Sequence, residues 1–287
     1  MPGVDLHLHS TCSDGTLTPA ALVALAREEG LAAASVTDHD SVAGVAAALA
    51  AGQLLGVEVL SGVEIGSSQD GVPFHLLGYG FRPEDPGLQA RLAQLQEGRQ
   101  QRNLAIIERL AGLGIGIRLE ELQAEAAGGQ IGRPHFARLL QAKGHVRSAQ
   151  EAFHRLLGRG RPAYASRFRF PAAEAIAFLQ AAGGIAVLAH PGSIGLASFR
   201  RLERFVGKLA AAGLDGLEAY YPDHDPAMAG RLVRLATSCR LVVTGGSDFH
   251  GAARPQAAMG RVGGKTLVPE AVMGPIRERL TRRRRSG

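Results

Sequence analysis

The chain has 287 residues, 46% of them hydrophobic, and a mean hydropathy of +0.03, which is enough for one large domain or a domain with an insert; no apolar run reaches the length of a membrane-spanning helix. The formal charge is +6, but Arg282 to Arg285 supply four of those charges, so the run reads as a solvated, frayed terminus, with a weak nucleic-acid contact as the alternative. Cys12 and Cys239 are too few for a disulfide framework and too far apart for a CxxC site, and Asp5, His7 and His9 stand where a signal peptide needs a basic and then an apolar stretch, so the expected location is the cytoplasm.

In chain order, seven short apolar runs read as strands: Val4–Leu8, Ala33–Thr37, Val57–Val63, Pro73–Tyr79, Gly184–Ala189, Gly216–Tyr220 and Leu241–Thr244. Most are continuously apolar, as in parallel strands covered on both faces. Helices lie between them. Thr18-Pro19 combines a hydroxyl cap with a first-turn proline, and Gly30 stops that helix; Ser41 is expected to cap a helix to about Ala51. Pro171-Ala172 and Ser198 open two more. The repeated strand–helix unit implies a parallel α/β fold, either a barrel or an open sheet. Between Leu88 and Ala163 the pattern is helical only. A long periodic helix, Leu88–Gly112, carries Arg91, Arg99 and Arg102, and shorter ones follow near Glu120–Ala127, Pro134–Ala142 and Ser148–Leu157. This reads as a helical insert after the fourth strand.

Six of the ten histidines fall at or near strand ends: His7, His9, His39, His75, His190 and His250. Asp14, Glu64 and Asp248 share those places. In a parallel α/β fold the carboxyl ends of strands converge on one face, and an i, i+2 pair such as His7 and His9 projects to one side of a strand. Any one of these residues is unremarkable as a rim or turn residue. Together, packed without cations, they would desolvate and repel one another. Nine donors exceed one ion's needs and suit two or three, and a nitrogen and oxygen set suits Mn, Zn or Fe rather than Ca. Three divalent ions against three carboxylates leave a positive cluster matched to a phosphate ester and a hydroxide nucleophile, so the chemistry points to metal-assisted phosphoester hydrolysis.

The motifs DLHLHSTCSDG, VTDHD, GVEI, FHLLGY, LAHP and GGSDFH, spanning residues 5 to 250, together resemble those of the polymerase and histidinol phosphatase (PHP) family. The resemblance implies a distorted (β/α)7 barrel, formed by residues 1–87 and 164–287, with the helical subdomain of residues 88–163 covering the active site. It implies a trinuclear centre held by His7, His9, Asp14, His39, Glu64, His75, His190, Asp248 and His250, with Glu64 bridging. Some relatives carry histidine where Asp14 stands, which shifts the expected metal towards Mn, with Zn or Fe as alternatives. Asp40 is expected to orient a ligand, to donate a proton to the leaving oxygen, or to cap the following helix.

The insert resembles that of small phosphoesterases acting on nucleotides. The expected reaction is removal of the 3′-phosphate from nucleoside 3′,5′-bisphosphates. The alternatives are 5′–3′ exonuclease action on short RNA and hydrolysis of a non-nucleotide metabolite such as histidinol phosphate. An inactive metal-binding module is a further rival, set against the complete donor set. In IGRPHFARLL, Arg133 and His135 flank a helix N-terminus and are expected to grip the phosphate that is not cleaved. Lys143 and Arg161 are further phosphate candidates, and Tyr220, Tyr221 and His224 are candidates to line a base. The partner expected is a small nucleotide or short RNA and no membrane; a monomer is compatible with all of this.

Overall fold

Alternating apolar runs and capped helices produce the elements, which a computed structural model describes for residues 3–263 and 266–286. In order these are β1 (Gly3–Leu8), α1 (Pro19–Glu28), β2 (Ala33–Val36), α2 (Val45–Leu55), β3 (Glu58–Gln69), β4 (Val72–Tyr79), α3 (Pro86–Gly112), α4 (Leu119–Glu125), α5 (Arg133–Ala142) and α6 (Ala149–Ala152). There follow β5 (Phe170–Pro171), α7 (Ala172–Ala181), β6 (Ile185–Leu188), α8 (Phe199–Ala211), β7 (Gly216–Tyr220), α9 (Pro226–Ser238), β8 (Val242–Gly245), β9 (Arg261–Val262), β10 (Thr266–Pro269) and α10 (Met273–Ser286). Thr18 and Ser198 cap α1 and α8 as their residue types require, each accepting a hydrogen bond from a backbone N–H three residues on. Ser41 does not cap α2. Its hydroxyl accepts from the Ala43 N–H in a local turn, and the helix begins at Val45 after Gly44.

The sheet runs β8-β7-β6-β4-β3-β2-β1-β10-β9, with β5 beside β3. The first and last barrel strands meet through a parallel bridge between Leu8 and Phe249, so seven strands make a nearly closed, distorted barrel. Gly246 allows this approach: a Cβ there would lie 2.3 Å from the His7 Cβ. Six of the seven strands are parallel to one another. The fourth is not: β4 is antiparallel to both β3 and β6. The cause is a two-residue hairpin in which Asp70 (φ 52°) and Gly71 (φ 74°) take left-handed backbone between Gln69 and Val72. The all-parallel expectation is corrected accordingly. His75 sits near the beginning of β4, and the reversal brings that end to the face where the other strands finish.

α3 joins two buried clusters. Leu88, Leu92 and Leu95 pack with α7 and the barrel strands, whereas Ile106 and Leu110 pack with Phe136, Leu140 and Leu157 of the later helices. The stripe between them continues on the same face as Arg99, Arg102 and Asn103, all buried and all polar. No strand occurs among residues 88–163, all of which are described.

The basic terminus is not frayed. α10 is helical through the arginine run and packs Met273, Ile276 and Leu280 with Val4, Tyr79 and Ile185. Arg279 and Arg283 both donate to the buried carboxylate of Asp215, at 3.3 and 2.7 Å, so part of the basic run serves packing. No helix among the described residues is long and apolar enough to cross a membrane.

Candidate metal centre and active site

Seven of the nine donors stand at or beyond the carboxyl ends of strands, whereas Glu64, expected just past a strand, lies midway along the longer β3, and His75 lies near the start of the reversed β4. Glu64 lies at the centre, almost fully buried. One of its oxygens lies 2.7 Å from His75 Nδ1 and 3.0 Å from His190 Nε2; the other lies 3.0 Å from His39 Nδ1, 3.2 Å from His9 Nε2 and 3.5 Å from His7 Nε2. Asp248 Oδ1 approaches His9 and His7 at 3.3 and 3.5 Å, and Asp14 Oδ1 approaches His250 at 3.4 Å. Three groups have donor atoms close enough to share an ion: His7, His9 and Asp248; His9, Asp14, His39 and His250; and His39, Glu64 and His75.

Several imidazoles are oriented by a polar neighbour on the nitrogen that faces away. His7 Nδ1 bonds Glu218 Oε1 at 2.9 Å, His250 Nδ1 donates to the Asp248 carbonyl at 2.8 Å, and His190 Nδ1 meets Ser193 Oγ at 2.7 Å. The opposite nitrogens then face the common space, an arrangement typical of metal-binding histidines. Glu218, wholly buried, also accepts the His190 N–H at 2.6 Å. Asp248 has its second oxygen held by Tyr221 at 2.8 Å and by Arg254. Asp38 accepts from Ser10 and Ser13 and so ties down the loop that carries Asp14. Asp40, His190 and Asp248 adopt positive φ, a strained backbone that turns each side chain at its strand end.

The donor chemistry fits divalent ions. His7 Nε2, His9 Nε2, Asp14 Oδ1, His39 Nδ1 and His75 Nδ1 are buried polar atoms with no hydrogen-bond partner, a costly condition that a coordinated cation relieves. Burial alone would raise the pKa of Asp14, Glu64 and Asp248, but the surrounding imidazoles overcome it and hold all three well below the usual carboxylate range. These are ionised oxygens beside imidazole nitrogens, with no thiolate in any of the three groups.

Comparison with known proteins agrees with the geometry. The PHP domain matches residues 5–106. The 5′-3′ exoribonuclease Rnm of Escherichia coli K12 is 36% identical over 272 residues, covering 94% of this chain and 91% of its own. The chain belongs to the PHP family. The 3′,5′-nucleoside bisphosphate phosphatase of Chromobacterium violaceum is 34% identical over 251 residues, covering 87% of this PHP chain and 88% of its own. A candidate metal-dependent phosphoesterase from Bifidobacterium adolescentis superposes with a TM-score of 0.86 at 32% identity, over 97% and 96% of the two chains. This protein is therefore a phosphoric ester hydrolase of the metal-dependent PHP type.

A cavity of about 190 Å³ opens on the PHP cluster. Asp14, His39 and His75 line it together with Arg99, Arg102, Arg133, Arg167, Arg169 and Tyr164. Arg133, at the start of α5, lies 5.8 Å from the ring centres of both Phe153 and Tyr164 and donates to the Leu157 carbonyl. His135 is two residues on in sequence but does not line the cavity: it is buried, and its Nδ1 accepts the Gly132 N–H at 2.8 Å as a helix cap. Lys143 pairs with Glu121, and Arg161 is exposed; neither lines the cavity. His224 has both ring nitrogens engaged, by the Ala219 carbonyl and the Gly192 N–H, and lines a separate apolar cavity with Tyr220 and Tyr221.

Asp40 faces arginines. Its Oδ2 accepts from Arg99 Nε at 2.6 Å and from Arg167, and its Oδ1 accepts the Gly66 N–H. Burial would raise its pKa, but the Arg167 and Arg99 charges hold it well below the carboxylate range. Arg99 and Arg102 carried a sequence signal, since both stand on the apolar stripe of α3. Arg167 and Arg169, in RFRF, carried only their i, i+2 spacing, and Glu218 is a lone acid inside the apolar strand GLEAY.

Proposed function

We propose that this enzyme removes the 3′-phosphate of nucleoside 3′,5′-bisphosphates. The carrying observation is the excess of arginine over carboxylate in a cavity that borders the donor cluster. Asp40 neutralises at most one of the Arg99 and Arg167 charges, and among the described residues Arg102, Arg133 and Arg169 hydrogen-bond only to neutral groups. Burial and the neighbouring Arg99 and Arg167 charges push the Arg102 pKa well down, the condition of a cation set among cations and matched to an anion. One phosphate group can be attacked at the cluster while the arginines hold a second. A monophosphate of a cationic alcohol such as histidinol phosphate would leave those arginines unmatched.

The nine donors would hold two or three divalent ions, Mn first among Mn, Zn and Fe. Such ions supply Lewis-acid polarisation of the phosphoryl group and a water-derived nucleophile at neutral pH. The chain's own residues orient and screen. Glu218 and Ser193 fix the His7 and His190 rings, and Asp40 fixes Arg99 and Arg167 so that their guanidinium groups stay aimed at the cavity. We assign Asp40 to this positioning role rather than to proton donation, because a carboxylate paired with two arginines stays ionised. Residues 88–163 act as the cover that carries Arg99, Arg102 and Arg133 to the barrel mouth.

Phosphate release by Mn-loaded protein tests the reading, with adenosine 3′,5′-bisphosphate, AMP and histidinol phosphate as substrates. The bisphosphate should be preferred. Arg133→Ala should raise its KM about 10- to 100-fold with a smaller change in kcat, the loss of about 1.5–3 kcal/mol of a charge-assisted contact. Turnover of histidinol phosphate with none of the bisphosphate would reject it. Glu218→Gln should lower metal affinity about 10- to 100-fold through the freed His7 ring, as read by chelator competition. Unchanged affinity would remove Glu218 from that role.

A further inference from the structure

The cavity beside the cluster, at about 190 Å³, is smaller than the ~300–1,000 Å³ of ordinary small-molecule sites, too small for a whole nucleotide. On the reading above, the base then lies outside it. Tyr220, Tyr221 and His224, expected to line a base, face a cavity that shares no wall residue with this one. A larger cavity, of about 620 Å³, does share one, Arg99. The two follow one another along a single cleft between α3 and the segment that leads into α5. Gly132, Arg133 and Pro134 wall the inner cavity, and Gly128 to Ile131, just before them, wall the outer one.

The chemistry changes along this cleft. Arginines dominate the inner cavity. In the outer one Arg99, tied to Asp40, is the only charged side chain among the described residues that line it. Glutamines stand in place of the other arginines: Gln96, Gln100, Gln123 and Gln130. Gln96 and Gln130 each donate from Nε2 to the Asp40 carbonyl, at 2.9 and 3.2 Å, and their oxygens have no partner among the described residues. The side-chain amides of Gln100 and Gln123 make no hydrogen bond among the described residues. Leu104, a large apolar side chain left exposed, lies among them with Leu119 and Ile131. A carboxamide carries a donor and an acceptor side by side, as the edge of a nucleobase does, whereas the faces of the base are apolar. Free amides beside exposed aliphatic side chains therefore suit a flat, neutral ligand with a polar edge. A second phosphate would find no uncommitted cation there.

We propose that the outer cavity is the subsite for the substrate's nucleobase, with Gln100 and Gln123 reading its edge. The inference rests on the nucleotide reading above and adds selectivity to it: the enzyme distinguishes a nucleoside bisphosphate from a sugar bisphosphate that lacks the base. The phosphates stay with the donor cluster and the arginines, and the base passes Arg99 into the amide-lined space.

The test compares adenosine 3′,5′-bisphosphate with its abasic counterpart, ribose 3,5-bisphosphate, on Mn-loaded wild type and on the Gln100→Ala/Gln123→Ala double variant. Both positions are exposed on helices, where alanine is well tolerated, so folding is not at stake. In wild type the abasic compound should have a KM at least about tenfold higher with a smaller change in kcat, and in the variant the two KM values should come within about threefold of each other. Equilibrium binding of AMP to chelated protein should weaken in the variant by about the same factor, with no chemistry involved. Equal KM values for the two substrates in wild type overturn the subsite while leaving the parent reading intact. A wild-type preference that the variant retains in full puts the base elsewhere and also overturns it. Turnover of neither substrate overturns both readings.

Discussion

Glu64→Gln is expected to lower kcat/KM at least about 10³-fold and to cost bound metal, at nearly unchanged side-chain volume. Glu64 has the densest contacts in the cluster, with five imidazole nitrogens between 2.7 and 3.5 Å of its two oxygens. The amide removes one of the three carboxylate charges in the donor set that would offset bound cations, and turns an NH₂ donor towards imidazole nitrogens that would have to present lone pairs. Metal analysis alongside phosphate release checks both halves. A variant that retained its full metal content and turned over within about threefold of wild type would show that Glu64 does not bridge ions. Circular dichroism guards against simple misfolding, which the matched shape makes less of a concern than His9→Ala would.

Asp40→Asn is expected to act first on stability, by about 3–5 kcal/mol, because it strands two arginine charges that are themselves buried. In a chain of this size that corresponds to a fall in Tm on the order of 10 °C. Arg167→Met in the Asp40→Asn background should recover part of the loss, since an apolar side chain has no charge to strand. A fall below about 1 kcal/mol would mean that solvent or a neighbour already compensates the arginines. The pH dependence has a definite sign. The folded-state pKa of Asp40 is depressed, so its contribution is complete above its unfolded value of about 3.9 and is lost as pH falls through that value towards the folded one. The variant should therefore lose less stability than wild type on acidification below about pH 4. Its catalytic defect should follow from loosened Arg99 and Arg167, appearing in KM more than in kcat.

The two predictions separate two layers of the site that were unequally visible in the sequence. The nine donors stand in six short motifs, most of them at a recognisable strand end, with Glu64 inside β3 the exception. The arginines and Glu218 stand in no motif. Arg99 and Arg102 look like ordinary charges on a long helix until the apolar stripe Leu88, Leu92, Leu95, Ile106, Leu110 is drawn and both are found on it. His135, grouped with Arg133 by closeness in sequence, points the other way, because helical residues two apart diverge by about 200°. Lys143, Arg161 and His224 have side chains of the right type at plausible places in the chain, and none lines the cavity.

Local periodicity determined what could be read directly: the strand runs, the caps at Thr18 and Ser198, the helical stretch 88–163, and the i, i+2 pairing of His7 with His9. Each depends on spacings of a few residues, which backbone geometry converts into a face or an end. The direction of β4 was within reach too, through the Asp70-Gly71 turn, but its consequence for His75 required the whole sheet. Only the tertiary structure decided which distant groups meet: Arg99 with Asp40 across 59 positions, Arg167 with Asp40 across 127, His7 with Glu218 across 211. Such pairings depend on how strands order themselves and where helices dock, and no periodicity along the chain encodes a partner at that range. The donor set of the candidate metal centre is therefore written in motifs, whereas the cationic walls of the adjoining cavity exist only once the chain has folded.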